Sequence, residues 1–183
     1  PASGKTFLTM NLAMSLAIKK KRVVVVDLDM RKAATSKYVR KPQLGISSYL
    51  NGQCELKDII HRYDGVELDV IPVGMIPPNP TELLYDERLA EAIEQLRKDY
   101  DYVFIDCPPV EVVADSSIIA PFADISLFVV RAYLLERSML PDVEMFYKSQ
   151  RYPNMFMVLN GTESGSGYGY RKYGYRYGYR YGY

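Results

Sequence analysis

The sequence predicts an α/β fold, a mainly parallel sheet flanked by helices in three layers. Three observations predict it. Short apolar runs rich in Val, Ile and Phe recur along the chain, at residues 23–26, 68–73, 102–105, 125–130 and 155–159. Runs so apolar suit strands covered on both faces. Between them lie longer stretches with apolar residues at helical spacing. Strands that alternate with helices are joined by right-handed crossovers, which makes the sheet parallel.

The elements follow in order. Residues 6–19 place Leu8, Leu12 and Leu16 with Met10 and Met14 at helical spacing. The run Val23-Val24-Val25-Val26 is the first strand. Residues 44–60 read as short helical pieces around Asn51-Gly52, and 68–73 as a strand closed by Gly74. The stretch Pro77-Pro78-Asn79-Pro80 excludes helix until Pro80, which suits the start of one running to about residue 98. A buried strand at 102–105, a helix around 115–121, a strand at 125–130, a helix at 138–150 and a last strand at 155–159 complete the order.

The chain of 183 residues is long enough for one domain with its own core. The formal net charge is +1, but residues 167–183 carry Arg171, Lys172, Arg176 and Arg180 with no acid. The body is therefore mildly acidic and does not read as a specific nucleic-acid binder. Two cysteines, Cys54 and Cys107, lack CxxC spacing, which argues against a disulfide scaffold or a zinc site. His61 is the single histidine, so no triad or multi-His metal site can be built on it; it reads as a solvated helix-end residue. Lys19-Lys20-Lys21-Arg22 reads as a solvated helix C-terminus. No apolar run reaches the roughly 18 residues of a membrane span.

The chemistry-bearing residues sit at element ends. Gly4-Lys5-Thr6 opens the first helix, where backbone N–H groups and the helix dipole favour an anion. A lysine there suits terminal phosphates, and a threonine hydroxyl suits Mg²⁺. Alone, the triplet also fits an ordinary helix start. The first strand, however, ends in Asp27-Leu28-Asp29 with Arg31 beyond, and the strand at 102–105 ends in Asp106 before Cys107-Pro108-Pro109. Ligands of parallel sheets bind at the carboxyl ends of strands, so two such carboxylates beside a phosphate loop suit a metal-nucleotide site.

The segments PASGKT, VVVVDLDMR and VFIDCPP resemble the Walker A, A′ and B motifs of the bacterial tyrosine kinases of capsular and exopolysaccharide biosynthesis. Gly74 to Leu84 resembles that family's G-x-x-P-P-N-P-x-E-L-L element, and a carboxy-terminal tyrosine cluster is its other hallmark. Ala2-Ser3 stands where the family more often has Gly-Glu. The resemblance implies a P-loop fold that uses ATP and Mg²⁺. Ala2, Ser3, Gly4, Lys5 and Thr6 would cradle the phosphates, and Lys5 would neutralise charge during transfer. Thr6, Asp29 and Asp106 would hold the metal, with Asp29 also serving catalysis. Asp27 would orient and deprotonate the incoming phenol. Asn160 would contact the adenine, although a turn Asn before Gly161 fits that position equally.

Residues 1–162 thus read as the catalytic domain and 163–183 as a Tyr/Gly/Arg tail, disordered until bound. Tyr168, Tyr170, Tyr173, Tyr175, Tyr177, Tyr179, Tyr181 and Tyr183 are the expected phosphate acceptors. The expectation is autophosphorylation in trans within a homo-oligomer, with ring assembly in the full-length protein. A fused or separate membrane domain that determines polysaccharide chain length would be the partner, at the cytoplasmic face of the inner membrane. The Gly that opens a full phosphate loop would precede Pro1, so the reading also expects a fragment with weakened ATP affinity. Two rivals are a partition or septum-site ATPase switch without kinase activity, and a degenerate nucleotide fold whose tail binds a polymer.

Overall fold

The computed structural model describes residues 3–39, 43–63, 65–110 and 113–162. Helix α1 (Lys5–Ile18) leads into β1 (Val23–Asp27). A 3₁₀ turn over Ala34–Tyr38, α2 (Ile46–Leu50) and a second 3₁₀ turn over Leu56–Ile59 follow. Next come β2 (His61–Arg62), β3 (Leu68–Ile71), α3 (Pro80–Leu84), α4 (Glu87–Asp99) and β4 (Tyr102–Asp106). The chain continues through α5 (Val113–Ile119), β5 (Ser126–Arg131), α6 (Leu140–Lys148) and β6 (Met155–Asn160).

Strand β1 lies in the middle of a sheet ordered β2-β3-β1-β4, parallel to both β3 and β4. Its period-two alternation explains why every residue of β1 is buried. Val23 and Val25 face one way, with Met10, Ala13 and Ala17 of α1. Val24 and Val26 face the other, with Leu89, Ala92, Ile93 and Leu96 of α4. These two clusters make the three layers that the sequence predicts.

Four expectations need correction. The helix expected from Pro80 to about residue 98 is two helices, because Asp86 breaks it and accepts a hydrogen bond from the Arg88 N–H as the cap of α4. His61 lies on β2, an antiparallel edge strand, and its Nε2 is buried with no hydrogen-bond partner. Among the described residues the sheet is two sheets, since β5 and β6 pair with each other and with no other strand. Strands β4 and β6 are consequently less buried than their apolar sequences suggest. Tyr102 is 44 % exposed and Phe156, Met157 and Leu159 are each 59 % exposed, because each of these strands is paired on one side only among the described residues.

Helix α1 stops where Lys20 enters the left-handed region at φ 60°, with its N–H donating to the Ala17 carbonyl. A glycine is favoured at that position. Lys20→Gly is expected to stabilise the fold by about 0.5–1 kcal/mol, read as a rise of about 1–4 °C in Tm by calorimetry. An unchanged or lower Tm would show that the lysine is not strained there.

Candidate phosphate and metal site

The carboxyl ends of β1 and β4 and the amino end of α1 meet at one edge of the sheet. Gly4 adopts φ +90° as the residue before α1, and a Cβ there would overlap the Asn160 side-chain amide. Glycine is therefore required twice over, by backbone conformation and by space. No side chain caps α1 and no acid lies in its first turn, so its first N–H groups stay open to an anion. Lys5 is the first residue of that turn.

Thr6 and Asp106 are a hundred residues apart, yet the Thr6 hydroxyl donates to Asp106 Oδ2 at 2.5 Å. Asp106 pairs in register with Asp27 across β1 and β4. Asp106 is 2 % exposed, and this burial pushes its carboxyl up to about 6; Asp27 and Asp29 add to the rise, while Thr6 and Lys5 oppose it.

Asp27 is wholly buried. Its Oδ1 accepts from the Asp29 N–H at 3.0 Å, and its Oδ2 accepts from the Thr35 N–H at 2.9 Å and the Thr35 hydroxyl at 2.7 Å. Burial still moves its carboxyl above the ordinary range, against the pull of these donors. Asp29 is 6 % exposed, and its Oδ1 is buried with no partner. A buried carboxylate oxygen left without a donor favours a cation.

The site therefore brings together Ser3, Gly4, Lys5, Thr6, Asp27, Asp29, Asp106 and Asn160. Asn160 reaches the loop, since its Nδ2 donates to the Ser3 carbonyl at 2.9 Å. Ala2 and the eight tail tyrosines lie outside the described residues. Among the described residues no three Asp, Glu, His or Cys side chains form a ready-made metal cage. Mg²⁺ does not need one, because it binds through one or two carboxylates together with water and substrate phosphates. The donor set of Thr6, Asp29 and Asp106, with its orphaned oxygen, fits that mode. Burial and the neighbouring Asp106 push the Cys107 thiol up to about 12, which favours the neutral thiol over the thiolate.

Sequence reasoning missed two groups. Thr35 supplies two of the three donors to Asp27, but a lone Thr in a turn carries no sequence signal. Asp115 of α5 is 2 % exposed and accepts from Arg31 Nε at 3.1 Å and from the Thr81 hydroxyl at 2.7 Å. Arg31 Nη2 also donates to Thr81 at 3.0 Å, so the three side chains tie the turn after β1 to α3 and α5. The Arg two residues after Asp29 was visible in the sequence, but its partners were not.

Comparisons with known proteins agree with this geometry. An AAA-domain family model matches residues 2–133. A putative tyrosine-protein kinase, EpsB of Ralstonia solanacearum, is 38 % identical over 185 residues, covering 96 % of this chain and 24 % of that protein. The chain thus spans about a quarter of the length of that curated relative. The kinase domain of the Escherichia coli tyrosine kinase Etk superposes with a TM-score of 0.81 at 32 % identity, over 94 % of this chain and 69 % of that one. More distant is the septum-site-determining protein MinD of Pyrococcus horikoshii complexed with Mg-ADP, with a TM-score of 0.68 at 25 % identity, over 86 % of this chain and 65 % of that one. With a phosphate loop, two Asp-ended strands and the Pro-Pro-Asn-Pro element all in place, the chain belongs to the AAA-domain family and, within its likeness to Etk, to the kinase domains of bacterial tyrosine kinases.

Proposed function

We propose that this domain transfers the terminal phosphoryl group of ATP to tyrosine hydroxyls of the tail at 168–183 of a neighbouring copy. By this reading it regulates capsular or exopolysaccharide polymerisation and export, at the cytoplasmic face of the inner membrane, with a chain-length-determinant membrane domain fused or separate. The observation that carries the reading is the meeting of Lys5, Thr6, Asp29 and Asp106 at the open end of α1, in a chain that ends in eight tyrosines.

Phosphoryl transfer asks for positioning and charge stabilisation more than for covalent chemistry. The open N–H groups of α1 bind and orient the phosphates, and Lys5 neutralises the charge that builds on them. Thr6, Asp29 and Asp106 would hold Mg²⁺. The chemistry supplied by the bound ion is Lewis-acid neutralisation of the phosphate oxygens. Asp27 is the proposed acceptor of the phenol proton, and the geometry sets a condition on it. Its Oδ2 already accepts two hydrogen bonds from Thr35, whereas its Oδ1 accepts one, from the Asp29 N–H, so Oδ1 is the oxygen with room for the phenol.

Incubation of the protein with ATP and Mg²⁺ followed by mass spectrometry tests the reading. Phosphate on several of Tyr168 to Tyr183 is expected, and Lys5→Met is expected to lower the labelling rate by about 100-fold or more. ATP hydrolysis without tyrosine labelling would instead favour the septum-site type of ATPase switch, for which the likeness to MinD speaks.

A further inference from the structure

Two strand ends carry the carboxylates of the metal site, and a ring of hydrogen bonds ties together the segments that leave them. Strands β1 and β4 pair as far as Asp27 and Asp106, and the Leu28 N–H still donates to the Asp106 carbonyl at 2.9 Å. Beyond that point the chain after β1 turns sharply. The Asp29 carbonyl accepts from the N–H groups of Lys32 and Ala33 at 3.0 and 2.9 Å, and Ala33 takes φ 46°. Arg31 sits within this turn, two residues after Asp29, whose buried Oδ1 has no partner. Asp115 sits on the other segment, nine residues after Asp106.

The ring closes on itself. Arg31 Nε donates to Asp115 Oδ2 at 3.1 Å, and Arg31 Nη2 donates to the Thr81 hydroxyl at 3.0 Å. That hydroxyl in turn donates to Asp115 Oδ1 at 2.7 Å. Both Asp115 oxygens are thus used, and the hydroxyl is donor and acceptor at once. Asp115 is 2 % exposed, so its charge is withdrawn from water and depends on these partners. The guanidinium supplies its two N–H groups from one rigid plane, which a lysine ammonium does not reproduce. The other two corners are anchored in the body of the fold. Thr81 stands on α3, whose Leu83 and Leu84 are buried in the same core as Val24 and Val26. Ser116, beside Asp115 on α5, is 5 % exposed and shares a hydrogen bond with the Tyr152 hydroxyl at 3.1 Å.

We propose that Arg31, Thr81 and Asp115 are positioning residues for the metal: their ring fixes Asp29 against Asp106 and thereby favours Mg²⁺ over a larger cation. This rests on the reading of Thr6, Asp29 and Asp106 as the Mg²⁺ site. Asp27 holds the same turn from inside, through the Asp29 N–H and Thr35, and the ring holds it from outside. Two anchors leave Asp29 little freedom to adjust. Such rigidity matters more for one cation than for another. Mg²⁺ requires near-ideal octahedral geometry at about 2.0–2.1 Å, whereas Ca²⁺ accepts irregular oxygen sets at about 2.3–2.6 Å. A loosened turn therefore costs Mg²⁺ more affinity than Ca²⁺. Groups that orient metal ligands without touching the metal carry about 10–100-fold in metal affinity.

The test is titration of Mg²⁺, and separately of Ca²⁺, into the whole protein with a fluorescent ADP, read as the gain in nucleotide affinity. Arg31→Lys keeps a cation on a side chain that is 45 % exposed, so the fold is expected to survive it. It should raise the Mg²⁺ midpoint about tenfold and the Ca²⁺ midpoint less than about threefold, with ADP affinity in EDTA unchanged. Thr81→Val keeps the shape and removes the hydroxyl, and it should act like Arg31→Lys. Thr81→Ser keeps the hydroxyl and should hold the unsubstituted values. Tm in EDTA is measured for every variant, and should Thr81→Val fail to fold, Arg31→Lys decides alone. A fall in Tm with both midpoints unchanged makes the ring a structural tie and overturns the proposal. An equal rise in the Mg²⁺ and Ca²⁺ midpoints overturns it as well. If the unsubstituted protein binds ADP equally with and without Mg²⁺, the metal reading falls and the ring's role with it. If that protein needs Mg²⁺ but Arg31→Lys keeps the same preference for Mg²⁺ over Ca²⁺, the metal reading stands and the positioning role falls.

Discussion

Asp106→Asn is expected to make the nucleotide-free protein more stable at pH 7.5 while removing its Mg²⁺-dependent activity. The carboxyl of Asp106 titrates near 6 in the fold against 3.8 in the unfolded chain. The folded state therefore binds the extra proton, and the stability that this proton brings is fully present below about pH 4 and lost as pH rises through about 6. Above that, the ionised form opposes folding by about 3 kcal/mol, an order-of-magnitude figure for a group this buried. Asparagine removes the charge and keeps the shape. Among the described residues the Thr6 hydroxyl donates to Asp106, and it can rotate to suit an amide. A rise of about 6–10 °C in Tm at pH 7.5 is expected by calorimetry in EDTA, shrinking below pH 6 and vanishing near pH 4. Tyrosine labelling with Mg²⁺ should fall by about 100-fold or more. A variant no more stable than the parent at pH 7.5 would show that Asp106 is not held in that strained ionised state.

Asp27→Asn, the same substitution at the register partner, is expected to go the other way. Burial raises the carboxyl of Asp27 too, so loss of its charge brings some relief. Its surroundings differ in donors, however. Both of its oxygens face backbone N–H groups, from Asp29 and Thr35, which cannot rotate into acceptors. Whichever way the asparagine amide is turned, its NH₂ meets one of them. A buried backbone N–H opposed by another donor costs about 1–3 kcal/mol. The turn from Asp29 to Thr35 loses its anchor at the same time, and with it the placement of Asp29 and Arg31. A fall of about 2–9 °C in Tm at pH 7.5 is expected. Equal or greater stability in Asp27→Asn would mean that desolvation of the charge outweighs these hydrogen bonds. The opposite signs at two paired positions separate a carboxylate met by a rotatable hydroxyl from one that also anchors a turn through backbone N–H groups.

Much of this architecture was legible in the chain. The unbroken apolar run Val23 to Val26 announced a strand covered on both faces, and it is buried throughout because α1 and α4 lie on opposite sides of it. Gly4, Lys5 and Thr6 before an amphipathic stretch announced an anion site, and the helix starts there uncapped. Asp27, Asp29 and Asp106 were identified from their places at strand ends. The break at Asp86 was less visible, because the helical pattern runs on through it and only a local cap interrupts it. The exposure of β4 and β6 was invisible, since apolar composition reports what a strand tolerates and not how many neighbours it has.

The sequence by itself determined most of the order of strands and helices, the glycine turn before α1 and the three carboxylates at strand ends, because periodicity, glycine conformation and strand ends are local properties of the chain. Only the tertiary structure decided what each carboxylate does. Asp27 accepts three hydrogen bonds from Thr35 and Asp29, Asp106 is met by Thr6 from a hundred residues away, and Asp29 keeps one buried oxygen without a partner. Desolvation and donor count depend on which distant residues pack together, and no local pattern records them.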